Sequence, residues 1–127
     1  MISAESGHEE YLTQLSNELV SIQADTTENN GGSGDYFRPH DLLCAGFASC
    51  LNITVRMILK KMGLQYDRIM TKVDIDRSRE DRTIFLYDIE IIGDIDAAVK
   101  EMVISQALNC PVKKTLSRNI AFESMSP

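Results

Sequence analysis

At 127 residues, 43% of them hydrophobic and 25% charged, the chain is long enough for one domain with one core, or for half of a core shared by two copies. It is too short for two full domains. The hydrophobic share excludes a disordered chain, and 13 Lys and Arg against 19 Asp and Glu leave a net charge of -6, which argues against nucleic acid as a partner.

Residues 1 to 37 hold seven acids and no lysine or arginine, so no secretory or mitochondrial targeting segment is expected there. The longest mostly apolar run, Leu42 to Val55, has 14 residues broken by Ser49, Asn52 and Thr54, and is expected to be too short to cross a bilayer. A cytoplasmic protein with no membrane partner is the expectation, as a single domain over 1–127 with residues 1–10 flexible or leading into a strand. Three cysteines in such a compartment read as reduced thiols, used for packing or for chemistry.

Tyr11 to Ala24 is β-compatible with a polar break at Ser16, Asn17 and Glu18, which predicts a hairpin. Asp25 to Asp35 is a polar, glycine-rich loop, long enough to be either mobile or built around a site. Arg38-Pro39-His40-Asp41 opens a helix, with proline at a first-turn position and a carboxylate at the positive end of the dipole. Gly63 closes it after about 23 residues, a length of about 34 Å. Apolar residues cover most of its first four turns, which predicts a central helix buried on several sides. Ile69 to Arg77 and Thr83 to Ile92 read as a second hairpin, with Phe85, Tyr87, Ile89 and Ile91 on one face. Asp94 is the expected N-cap of a second helix that ends near Cys110-Pro111. A turn through Lys113 to Leu116 and a last strand, Asn119 to Glu123, complete an α+β chain.

The cysteines carry most of the chemical information. Cys44 and Cys50 lie six residues apart on one helix, hence about 9 Å of rise and about 240° of rotation apart, and cannot bridge to each other within it. Any intrachain disulfide must use Cys110, with Cys50 or Cys44 as partner. A metal site is not expected, because no CxxC is present and His8 and His40 are not at ligand spacing to a cysteine. Cys44 reads as packing. Cys50 follows the small-residue run Ala45-Gly46-Phe47-Ala48-Ser49, where another element can approach closely. Cys110 precedes Pro111, Val112, Lys113 and Lys114, where backbone N–H groups and positive charge are expected to lower its pKa.

Asp25, Gly31-Gly32, Arg38-Pro39-His40-Asp41-Leu42-Leu43, Ala48-Ser49-Cys50 and Cys110-Pro111-Val112 together resemble the OsmC/Ohr family of cysteine-based hydroperoxide reductases, from about Tyr11 to Glu123. The resemblance implies an α+β OsmC-like fold in an intertwined homodimer, with the long helices at its centre and the sites at the subunit interface. It implies that Cys50 attacks the peroxide and that Cys110 resolves the product as a disulfide. No resident cofactor or metal is implied; a small hydroperoxide and a thiol reductant would be the partners. The alternative is a non-catalytic OsmC-like dimer that senses oxidants or binds a small ligand or thiol.

The chain departs from the family in one respect. Better-studied branches hold the thiolate with an arginine on an N-terminal strand, paired with a glutamate in the P-E-x-L turn. Here no arginine precedes Arg38, His40 stands where that glutamate would fall, and Asp41 follows one position later. Arg38, His40 and Asp41 are therefore the candidate activating groups, against a plainer reading as a solvated cation and first-turn capping residues. Arg56, Arg77, Arg79 and Arg82 are the other candidate cations.

Overall fold

The turn between the first predicted strands shows how local chemistry sets this fold. In the computed structural model, which describes residues 1–126, β2 (Thr13–Ser16) and β3 (Ser21–Ala24) pair antiparallel, as predicted. Asn17 Oδ1 accepts the N–H groups of Leu19 and Val20, at 3.1 and 2.9 Å, and holds Glu18 at a positive φ of 80°. A strand at Ser3–Ser6, β1, pairs with the other side of β2, so residues 3–6 belong to a three-stranded sheet.

The glycine-rich loop is ordered by its own aspartate. Asp25 is buried, and its carboxylate accepts the N–H of Thr26 at 2.7 Å and both the N–H and hydroxyl of Ser33, at 3.0 and 2.9 Å. Those donors hold the carboxyl below its ordinary value, the backbone N–H of Ser33 contributing most. Gly32 is required here: a Cβ would fall 2.7 Å from the Asp25 carboxylate and closer still to the Thr26 carbonyl.

Contacts divide the chain into two compact units, Met1–Leu43 and the residues from Cys44 onward. The first holds the sheet and loop just described. The second is built on α1 (Pro39–Lys61), whose bounds match the expected helix. Phe47, Leu51, Val55 and Leu59 recur every four residues and form its buried stripe. They pack with Ile89 and Ile91 of β5 (Ile84–Ile92), with Val103 and Ala107 of α2 (Ala97–Ala107), and with Cys110. β5 pairs antiparallel with β4 (Arg68–Asp76), the predicted second hairpin. Phe47 meets the rings of Phe85 and Tyr87 edge-on, at 6.1 and 6.3 Å.

The structure corrects the sequence reading at five points. By length and composition α1 could cross a membrane, because the helix extends well past the 14-residue apolar run; here it is the core helix. It is buried along one stripe and not on several sides, with Ile53 43% and Met57 66% exposed, since one chain supplies cover for one face only. α2 starts at Ala97 with Asp96 at the N-cap, because Asp94 and Ile95 lie in the turn after β5. The segment after Cys110 is a short helix, α3 (Pro111–Leu116), nucleated by proline at its first position. Asn119 to Glu123 forms no strand among the described residues: no sheet edge of this chain pairs with it, and Phe122 is 94% exposed.

Candidate functional site

Cys50 owes its position to the buried stripe of α1. At 100° per residue it lies just past Phe47 on one flank, half-buried and packed against the core. Cys110 reaches the same place from the other end of the unit. It is the N-cap of α3, with extended backbone at φ -62° and ψ 151°, and its Sγ accepts the Lys113 N–H at 3.5 Å. Its side chain is fully buried.

The two thiols are neighbours. Sixty residues apart in sequence, Cys50 packs against the buried cluster that contains Cys110, near enough for its side chain to shift the Cys110 pKa. Burial pushes the Cys110 thiol above its ordinary pKa of 9.0. The Lys113 and Val112 N–H groups pull the other way, while the neighbouring Cys50 adds to the rise. The sequence predicted a lowered value. The expected N–H donors are present, but burial outweighs them. All three cysteines are thiols rather than disulfides. Cys44, half-buried on α1, is separated from Cys50 by the rise and rotation expected of an i, i+6 pair.

Arg38, His40 and Asp41 belong to the first unit, and what the structure shows of them is local. The Asp41 carboxylate accepts the Arg38 backbone N–H at 2.9 Å and its guanidinium at 2.9 and 2.8 Å, a bidentate pair across the helix start. Those bonds hold Asp41 below the ordinary carboxylate value, the guanidinium contributing most. His40 occupies the helical position between them. A cleft of about 500 Å³ in this unit is lined by Tyr11, Leu15, Ala24, Asp25, Pro39 and Leu42 among others, and no cysteine reaches it.

One part of the surroundings of Cys50 escaped the sequence reading. Asn52 Nδ2 donates to the Ile69 carbonyl at 3.1 Å and to Thr71 Oγ1 at 3.4 Å, and Thr71 Oγ1 donates to the Ala48 carbonyl at 2.9 Å. The available signal was an asparagine inside an apolar helix, which the sequence reading took only as a break in the run.

Chemically, two neighbouring thiols inside an apolar shell can cycle between dithiol and disulfide. Known proteins share this fold. The OsmC-like protein family model matches residues 32–125, well over half of the chain. An OsmC-like protein of Mycoplasma pneumoniae superposes with a TM-score of 0.77 at 18% identity, over 91% of this chain and 85% of that one. An organic hydroperoxide resistance protein OsmC of Legionella pneumophila gives 0.67 at 18%, over 94% and 89%. The organic hydroperoxide resistance protein OhrB of Bacillus subtilis gives 0.66 at 17%, over 94% and 90%. No curated protein matches the sequence. With the family model spanning both the helix of Cys50 and the turn of Cys110, and the same fold in these structures, the chain belongs to the OsmC-like protein family.

Proposed function

We propose that this OsmC-like protein reduces hydroperoxides through Cys50 and Cys110. The observation that carries the reading is the packing of Cys50 against the buried cluster that holds Cys110, which brings together two thiols from distant segments at the edge of the core. Cys50, the more accessible of the two, attacks the terminal oxygen of ROOH as thiolate; the O–O bond breaks, and the alkoxide leaves and takes a proton as ROH. The resulting Cys50 sulfenic acid is attacked by the Cys110 sulfur. An S–S bond forms, and the sulfenic hydroxyl leaves with the Cys110 proton as water. A thiol reductant then regenerates both thiols, as a cytoplasmic setting would allow. Several solved relatives of the same fold are organic hydroperoxide resistance proteins, which supports an organic hydroperoxide as substrate.

The working form in this proposal is a homodimer. Ile53, Met57, Ile120 and Phe122 are exposed in a single chain, and a second copy would remove that apolar surface from water. Arg38, with His40 and Asp41 beside it, is the proposed activating group. The test is stoichiometric addition of cumene hydroperoxide followed by peptide mapping. A Cys50–Cys110 disulfide formed with consumption of one peroxide per cycle is expected, with Cys44 alkylatable after unfolding. A Cys44–Cys110 bridge, or intact thiols after excess peroxide, would overturn the reading; intact thiols that still retain a small ligand would favour the binding role.

A further inference from the structure

We propose that Asn52 and Thr71 are positioning residues: a polar clamp that fixes the rotation of α1 and thereby holds Cys50 in bonding register with Cys110. The inference rests on the two-thiol reading above. Ala48 and Asn52 are one helical turn apart and bracket Cys50, and both are tied to β4 through Thr71 and the Ile69 carbonyl. Ile69 and Thr71 are alternate residues of β4, hence on one face, and are paired to Ile91 and Ile89, whose side chains are buried in the core. The strand is therefore a fixed reference for the helix.

Helical geometry says what the clamp controls. Counting 100° per residue, the midpoint of Ala48 and Asn52 lies about 180° around the axis from Cys50. The stripe runs from Phe47, nearest the Cys50 flank, round to Leu59 on the clamp's flank, and its packing is nondirectional. Apolar contacts alone tolerate a small roll of the helix; three directional hydrogen bonds on one flank do not. A roll of about 20° moves the Cys50 Cα by about 0.8 Å, on a Cα radius of about 2.3 Å, and its sulfur by more. A disulfide needs its sulfurs at about 2.05 Å with restricted torsions, and a misplacement of about 1 Å can lower an intramolecular reaction by about 100-fold. Cys110 cannot follow such a roll, since it is fully buried and held as the cap of α3.

The test is the equilibrium of the full-length protein with reduced and oxidised glutathione, in which one protein disulfide and two GSH exchange for the dithiol and one GSSG. Its equilibrium constant reports how well the two sulfurs are aligned and does not depend on peroxide turnover. Thr71→Val keeps the shape and removes the hydroxyl; Thr71→Ser keeps the hydroxyl. The expected result is a shift of about tenfold or more toward the dithiol in Thr71→Val, about 30 mV for this two-electron couple, with Thr71→Ser within about twofold of the parent. A folded Thr71→Val within twofold of the parent overturns the proposal. Should Thr71→Val fail to fold, Asn52→Ala, which removes two of the three bonds, must shift the constant by at least threefold, and an unchanged value overturns the proposal in the same way. A parent protein that forms the disulfide in glutathione yet leaves hydroperoxide untouched would remove the peroxidase reading, while a Thr71→Val shift would still establish the clamp.

Discussion

Replacing Cys110 separates its structural duty from its chemical one. The side chain is fully buried and caps α3 through the 3.5 Å contact from the Lys113 N–H, so truncation to alanine removes both a buried sulfur and a cap. The lost burial costs about 1 kcal/mol and the lost cap about 0.5 to 1 kcal/mol, together about 2 kcal/mol. Serine keeps the cap with a stronger acceptor, and its hydroxyl can donate to Cys50, so it avoids the cost of about 1 to 3 kcal/mol of burying an unpartnered hydroxyl. Urea denaturation should therefore rank Cys110→Ser as more stable than Cys110→Ala, with the parent above both. For a chain of this size the alanine loss is about 6 to 10 °C in Tm. Both variants should stop the cycle at the Cys50 sulfenic acid, read by intact mass as a dimedone adduct after one equivalent of cumene hydroperoxide. Serine costing over 1 kcal/mol more than alanine would refute the capping argument. A disulfide still formed at Cys50 in either variant would refute the resolving role.

Leu51→Ala opens a cavity beneath Cys50, where the leucine is wholly buried, and should cost about 2 to 5 kcal/mol in urea titration. Glu18→Gly relieves a positive φ that an L residue adopts at a cost of about 1 to 2 kcal/mol, less the added freedom of glycine in the unfolded chain, so Tm should rise by a few degrees; a fall would show that the Glu18 side chain contributes to the turn. Asp25 is held below its ordinary pKa of 3.8, so the native state binds fewer protons than the unfolded one between the two values. Its contribution is complete above that ordinary value and lost as pH falls through the lowered one. The stability gap between the parent and Asp25→Asn should accordingly narrow below about pH 4, and a constant gap from pH 7 to pH 3 would count against it. Arg38→Ala should change stability by only about 0.5 kcal/mol, since the pair is exposed, but should slow peroxide reduction by about 10- to 100-fold if the guanidinium activates the thiolate. An unchanged rate would remove Arg38 from the site.

By itself the sequence determined what depends on neighbours along the chain. Pro39 after Arg38 opens α1 and Gly63 follows its end, whereas which face of α1 is buried, the stripe from Phe47 to Leu59, was not legible among apolar residues spread around most of the helix. The alternation through Phe85, Ile89 and Ile91 made β5 legible, and helical spacing alone separated Cys44 from Cys50. Contacts between distant segments were decided by the tertiary structure. Residues 3–6 become a strand by pairing with β2, whereas 119–123, with a strand-like sequence, pairs with no strand of this chain among the described residues. The pKa of Cys110 turned on burial, which the polar turn around it does not reveal. Asn52 and Thr71 look unrelated along the chain; their bond exists because β4 crosses α1 beside the turn that carries Cys50, and that crossing is set by the packing of the whole core. Local propensity acts over one turn or one hairpin, while the site is built from residues 17 to 60 positions apart that only the shared core brings together.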